Sequence, residues 1–218
     1  MKQGLIFDLD GTLLDTLKDL AASTNYVLRA HGFPEHPLED YNYLVGQGAR
    51  HLIEYALPAE ARDKKRVDKL LEEFSAYYGT HWDVHTRPYP GVPEMLQKLK
   101  SMKRPVGILS NKPHAFTVMC VEKLLPDFPF SIVMGHKEPF PRKPDPAAAW
   151  HIAEQWGLKP ADIMFCGDTS IDMTTADRAG MFAVGVTWGF RPREELLEHG
   201  ARELAETPLD IPKIFKKS

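Results

Sequence analysis

Short apolar runs punctuate the chain, and several stop abruptly at a polar residue: Gly4 to Phe7 before Asp8, Pro105 to Leu109 before Ser110, and Ile163 to Gly167 before Asp168. Residues 131–135 and 182–186 form similar runs. Each is too short for a helix and apolar without alternation, which suits strands covered on both faces of a parallel sheet. Helix-like stretches separate them over 93–102, 113–125, 146–156 and 171–179, several opened by Pro in the first turn or closed by Gly. The alternation predicts an α/β fold: a doubly wound, mostly parallel, Rossmann-like sheet that takes ligands beyond the carboxyl ends of its strands, at a switch in strand order. Asp8, Ser110 and Asp168 all fall at such ends.

The alternation fails between Asp15 and Pro88. Leu17, Leu20, Ala21, Thr24, Val27 and Leu28 keep helical spacing until Gly32 and Pro34; Leu52, Ile53, Ala56 and Leu57 resume it, and Val67, Leu70, Leu71 and Phe74 continue it. The pattern predicts a small helical cap over residues 15–86, inserted into a core made of residues 1–14 and 87–218. The stiff Pro/Gly exit from His85 to Gly91 makes that cap hinged over the strand ends.

A chain of 218 residues with 43% hydrophobic content suits one core plus an accessory module. Lys and Arg total 27 against 30 Asp and Glu, so the net charge of −3 gives no broad electrostatic reason to bind nucleic acid or an anionic membrane. Cys120 and Cys166 are too few for a disulfide framework or a Cys-based zinc site, and reducing cytoplasm is the expected location. No apolar run has the length of a secretory leader or a membrane span.

The strand-end residues carry the candidate chemistry. In Asp8-Leu9-Asp10-Gly11-Thr12, two carboxylates leave the sheet two residues apart. One suits a nucleophile that forms an aspartyl-phosphate, and the other a proton donor and acceptor; an isolated pair of this kind equally describes a metal-binding or loop-capping motif. Gly167-Asp168-Thr169-Ser170-Ile171-Asp172 adds carboxylates at the same edge, and such crowding calls for a cation. Mg²⁺ takes oxygen ligands. Asp8 and Asp168 are the expected side-chain ligands, Asp10 is expected to contribute a backbone carbonyl, and Asp172 to ligate or support the site from behind. Ser110 and Asn111 offer a hydroxyl and backbone N–H groups as a phosphate cradle, or else cap the next helix. Lys143, on a proline-stiffened segment, offsets repulsion between a carboxylate nucleophile and a phosphate dianion, whereas Arg142 is expected to face solvent.

These four segments, in this order, resemble the four motifs of the haloacid dehalogenase-like hydrolase superfamily, and the helical block falls where its phosphatases with a helical cap carry their insertion. Tyr43-Leu44-Val45-Gly46-Gln47-Gly48, Ser110-Asn111-Lys112-Pro113, Arg142-Lys143-Pro144-Asp145-Pro146 and Thr187-Trp188-Gly189 are similar to the phosphoglycolate phosphatase branch. The resemblance implies a Mg²⁺-dependent phosphatase acting on a small phosphorylated metabolite, with Asp8 the nucleophile, Asp10 the acid and base, Ser110 and Lys143 phosphate binders, and Asp168 a metal ligand. A phosphomutase or pyrophosphatase would share every core motif, and a non-catalytic binding module is a further alternative. In the cap, Gly46 and Gly48 permit a tight loop near the substrate and Arg50 is a candidate for a substrate carboxylate. His81 and His85 lack the intervening Glu of a zinc helix motif, and Cys166 is expected to be an inert strand residue.

Overall fold

The computed structural model describes residues 2–218. In chain order the elements are β1 (Gly4–Phe7), β2 (Leu14–Asp15), α1 (Leu17–Ala30), α2 (Tyr41–Leu44), α3 (Ala49–Ala56), α4 (Lys64–His81), β3 (Arg87–Pro88), α5 (Val92–Lys100), β4 (Val106–Pro113), α6 (His114–Leu124), β5 (Ile132–His136), α7 (Ala147–Gln155), β6 (Ile163–Gly167), α8 (Ser170–Ala179), β7 (Phe182–Val186), α9 (Arg193–Glu198), β8 (Glu203–Ala205) and α10 (Ile211–Lys217). Six strands form one sheet in the order β5-β4-β1-β6-β7-β8, with every neighbouring pair parallel. The chain winds from β1 outward to β5, then crosses back to β6 on the other side of β1. The crevice of an open α/β sheet lies at that reversal, so the segments after β1, β4 and β6 converge there.

The unbroken apolar runs follow from burial on both sheet faces. Leu5, Phe7, Met164 and Cys166 pack into one hydrophobic cluster, while Ile6, Ile163 and Phe165 pack into another on the opposite face. The first cluster continues into the helical block through Leu52, Phe74 and Tyr78, joining the two parts by apolar contact. Cys166 is fully buried, and burial pushes its thiol well above the usual range, in line with an inert role.

Helices α1 to α4 fill the interval between β2 and β3, which pair antiparallel through Leu14 with Pro88 and Asp15 with Arg87. This two-stranded neck sets exit and return side by side. Just beyond it the buried Asp19 of α1 accepts hydrogen bonds from His85 N at 2.9 Å, Thr86 N at 2.8 Å and Thr86 Oγ1 at 2.8 Å. Three donors on one buried carboxylate fix the return segment against α1. Asp19→Ala would strand those N–H groups, and a loss of about 3 kcal/mol is expected. Urea denaturation checks this: an unchanged midpoint would show the clamp to be dispensable.

Several strands differ from the sequence expectation, the short β2 and β3 of the neck among them. β8 had no counterpart in the apolar pattern, and β4 runs on through Ser110, Asn111 and Lys112 to Pro113. Between Leu109 and Pro113 its register against β5 shifts, four steps on β4 facing two from Met134 to His136. Such an irregularity re-aims side chains. Here it delivers three consecutive polar residues to the sheet's carboxyl edge.

Candidate active site

Asp8, Asp10, Ser110, Asn111, Lys112 and Tyr78 line one cavity beside Gly46 and Gly48 of the helical block. Asp8, Asp168 and Asp172 each offer a carboxylate oxygen within 4.8 Å of the others, and all three are buried. Lys143 enters this cluster as its counter-ion: Nζ donates to Asp172 Oδ1 at 2.6 Å and stands 2.9 Å from Asp8 Oδ1. The second contact is close in distance but badly directed, because the buried Asp8 Oδ1 accepts no hydrogen bond.

Burial first, and neighbouring charge second, set the protonation of these groups. Burial pushes the Asp8 carboxyl up to about 7, with Lys143 pulling the other way and Asp172 adding to the rise. Asp168 is pushed well above the usual carboxylate range, first by burial and then by Asp172 and Asp8. Burial opposes the charge on Lys143, but Asp172 and Asp8 outweigh it and the ammonium is held on.

Asp168 is held on both oxygens, by Thr12 Oγ1 at 2.8 Å and by the Phe190 N–H at 2.9 Å. Gly11 and Gly189 make that possible. A Cβ on Gly11, at φ +83°, would lie 2.2 Å from Asp168 Oδ2, and one on Gly189 would lie 2.2 Å from Asp168 Cβ. The residues fit a hard divalent cation: three buried oxygens converge, one of them lacks a donor, and a single lysine leaves negative charge in excess. Among the described residues this is the one group of three or more His, Cys, Asp and Glu side chains close enough to hold a metal, and neither His81 nor His85 belongs to it. His81 Nδ1 instead lies 2.9 Å from Tyr77 O, and the His85 N–H serves Asp19.

The remaining expected site residues take the following places. The Asp10 side chain lies outside the acidic cluster and pairs with Lys112 Nζ at 3.1 and 3.3 Å. Asp172 is a support: Oδ2 accepts from Thr169 N and Oγ1 in a capping box that opens α8, and Oδ1 takes Lys143. The Asn111 side chain is engaged structurally: Nδ2 donates to Gly46 O and Lys143 O while Oδ1 accepts from Lys143 N. It brackets the Lys143 segment to the helical block. Arg50, half exposed, forms an ion pair with Asp68 of α4 and is absent from the cavity lining. Arg142 is exposed as expected, but it runs along Gly48, where a Cβ would meet its Nε at 2.8 Å.

Lys112, Tyr78, Thr12, Phe190 and Arg191 were not assigned site roles from sequence. Arg191, next to the residue that holds Asp168, donates to Tyr43 O at 3.4 Å and Val45 O at 3.3 Å, tying the helical block to the core. A lysine immediately after Ser110-Asn111 was the one local signal available.

A family model of the haloacid dehalogenase-like hydrolases matches residues 5–186. A phosphoglycolate phosphatase of Thiobacillus denitrificans is 33% identical over 219 residues, covering 97% of this chain and 96% of that one. A second, of Mannheimia succiniciproducens, is 34% identical over 214 residues, covering 95% and 96%. A solved structure from Lactobacillus delbrueckii subsp. bulgaricus superposes with a TM-score of 0.91 at 29% identity, covering 99% of each chain. The chain belongs to the haloacid dehalogenase-like hydrolases. Its fold is the α/β sheet that the apolar runs predicted, and its curated relatives bear the name of phosphoric monoester hydrolases. No helix among the described residues is long and apolar enough to cross a membrane.

Proposed function

We propose that this chain is a Mg²⁺-dependent phosphatase that hydrolyses a small phosphate monoester through an aspartyl-phosphate on Asp8, with phosphoglycolate as the preferred substrate. The observation that carries the reading is the convergence of Asp8, Lys143 and Asp168, from segments far apart in sequence, on one buried cluster beside the cavity that Asp10 and Ser110 line. The names of the relatives, phosphoglycolate phosphatases of near-equal length, point to the substrate.

In this reading Asp8 attacks phosphorus in line while Lys143 and the Ser110 hydroxyl hold equatorial oxygens. Asp10 gives a proton to the departing alkoxide, which leaves as the alcohol. Asp10 then takes a proton from water as that water attacks the acyl-phosphate, releasing inorganic phosphate and freeing Asp8. Asp8 and Asp168 hold the Mg²⁺, which when bound neutralises phosphoryl charge and lets Asp8 stay ionised. Residues 15–86 act as the cap, and the Asn111 and Arg191 contacts to residues 43–46 hold it over the site, limiting water access.

Phosphate release tests the reading across phosphoglycolate, sugar phosphates, nucleotides and pyrophosphate, with Mg²⁺ and with a chelator. Phosphoglycolate is expected to give the highest kcat/KM, and chelation to remove activity that Mg²⁺ restores. Conversion of a sugar phosphate to its isomer with little free phosphate would overturn it in favour of a mutase, and Mg²⁺-independent turnover would overturn the metal assignment.

A further inference from the structure

The cavity has one polar end and an otherwise apolar lining. Leu20, Val45, Leu52, Phe74 and Phe116 form much of its wall, and Lys112 is the sole cationic side chain among the described residues that line it. Lys143, the other buried lysine, stands between Asp172 and Asp8 and is absent from the cavity lining. Lys112 comes from the irregular stretch of β4 and is itself buried, 6% exposed. Its Nζ donates to both Asp10 oxygens and, at 2.8 Å, to the hydroxyl of Tyr78, while lying 4.8 Å from the centre of the Tyr78 ring. A buried ammonium in apolar surroundings loses hydration, so its position is held at a cost that its partners must offset.

We propose that Lys112 determines specificity for the leaving group, binding an anionic substituent such as a carboxylate on the alcohol that departs from phosphorus. This rests on the phosphatase reading above, because that reading places Asp10 beside the bridging oxygen. A cation hydrogen-bonded to Asp10 then lies on the leaving-group side of phosphorus, within reach of a group one or two carbons away. The substrate's phosphoryl end meets Lys143, and its far end meets the second lysine. Tyr78, on α4 of the cap, orients that ammonium, so recognition joins cap to core. A neutral alcohol of the same size offers Lys112 no charge, and an aminoalcohol repels it. Arg50, paired with Asp68, is absent from the cavity lining.

The test compares kcat/KM for phosphoglycolate with kcat/KM for 2-hydroxyethyl phosphate, which has the same two-carbon skeleton with a neutral CH2OH group in place of the carboxylate. The comparison is made in the unaltered enzyme, Lys112→Met and Lys112→Arg, all with Mg²⁺. Disturbing Asp10 slows both substrates alike and cancels in the ratio. The expected result is a preference for the carboxylate that falls about 10- to 100-fold in Lys112→Met, the size of one charge-assisted hydrogen bond, chiefly through KM, and largely survives in Lys112→Arg. A ratio unmoved in Lys112→Met, with both substrates still hydrolysed, overturns the inference and leaves the phosphatase reading standing. Absence of phosphate release from either substrate by the unaltered enzyme overturns the phosphatase reading itself, and the inference with it. Should Lys112→Met fail to fold, product inhibition of the unaltered enzyme decides: competitive inhibition by glycolate but not by ethylene glycol supports the assignment, and equal effects overturn it.

Discussion

Asp8→Asn is expected to lower phosphate release by about 10⁴-fold or more while leaving the protein folded, because the amide keeps the shape of the carboxylate and loses its capacity to bond phosphorus. Its stability should change in a direction set by the surroundings. Asp8 is buried against Asp172 and Asp10, and its carboxyl is raised from 3.8 to about 7, burial being the main cause. A carboxyl raised on folding favours the folded state while protonated: its contribution is fully present below pH 3.8, shrinks as pH rises, and is lost above about 7. Without divalent cation, the melting temperature of Asp8→Asn relative to the unaltered protein should therefore climb between about pH 4 and pH 7. Lys143 keeps a partner in this variant, since Asp172 Oδ1 accepts from it at 2.6 Å. Thermal melts across that pH range, beside a phosphate-release assay, check both halves. Residual turnover within tenfold of the unaltered enzyme would remove Asp8 as nucleophile, and a pH-independent difference in melting temperature would refute the electrostatic account.

The sheet and its carboxyl edge were legible in sequence because strands covered on both faces leave a strong local mark. Leu5-Ile6-Phe7 must serve two hydrophobic clusters at once, and the run ends where Asp8 meets the crevice. β8 has only Glu203, Leu204 and Ala205 and sits at the sheet edge, so burial imposed no run to read. The extension of β4 hid behind Ser110-Asn111-Lys112, polar residues that look like the end of a strand and are in fact its irregular stretch. Within the site, residue types announced themselves but pairings did not. Lys112 and Asp10 lie 102 positions apart, and no local period links them. Asn111 offered a helix cap or a phosphate cradle, and only the fold shows its amide spent on Gly46 and Lys143. Arg50 was a candidate for a substrate carboxylate, and its ion pair with Asp68 of the next helix left no local mark to read. Gly11 and Gly189 stand where a side chain would displace Asp168, a constraint that only the fold shows.

Lys143→Met should be the most damaging single change to stability in the site. The ammonium is buried between Asp172 and Asp8, with Asp168 in the same cluster, and methionine fills similar space without charge. Three buried carboxylates would then face one another uncompensated. Breaking one side of a buried ion pair costs about 3–5 kcal/mol, and loss of a cation from a phosphoryl-transfer site lowers turnover by about 10²–10³-fold. The two effects have separable origins. Asp172 takes no proposed part in the chemistry, so adding Asp172→Asn to Lys143→Met removes one stranded charge and keeps an oxygen for the Thr169 capping box. The double variant should recover much of the lost stability and none of the lost turnover, a coupling that urea denaturation of the four-member cycle measures. Added Mg²⁺ should stabilise Lys143→Met more than it stabilises the unaltered protein, because the cation is then the one remaining counter-charge for Asp8 and Asp168. Strict additivity of the two substitutions in stability would contradict a shared electrostatic origin. Recovered turnover in the double variant would show that Lys143 serves only to neutralise Asp172, leaving phosphoryl oxygens to other donors.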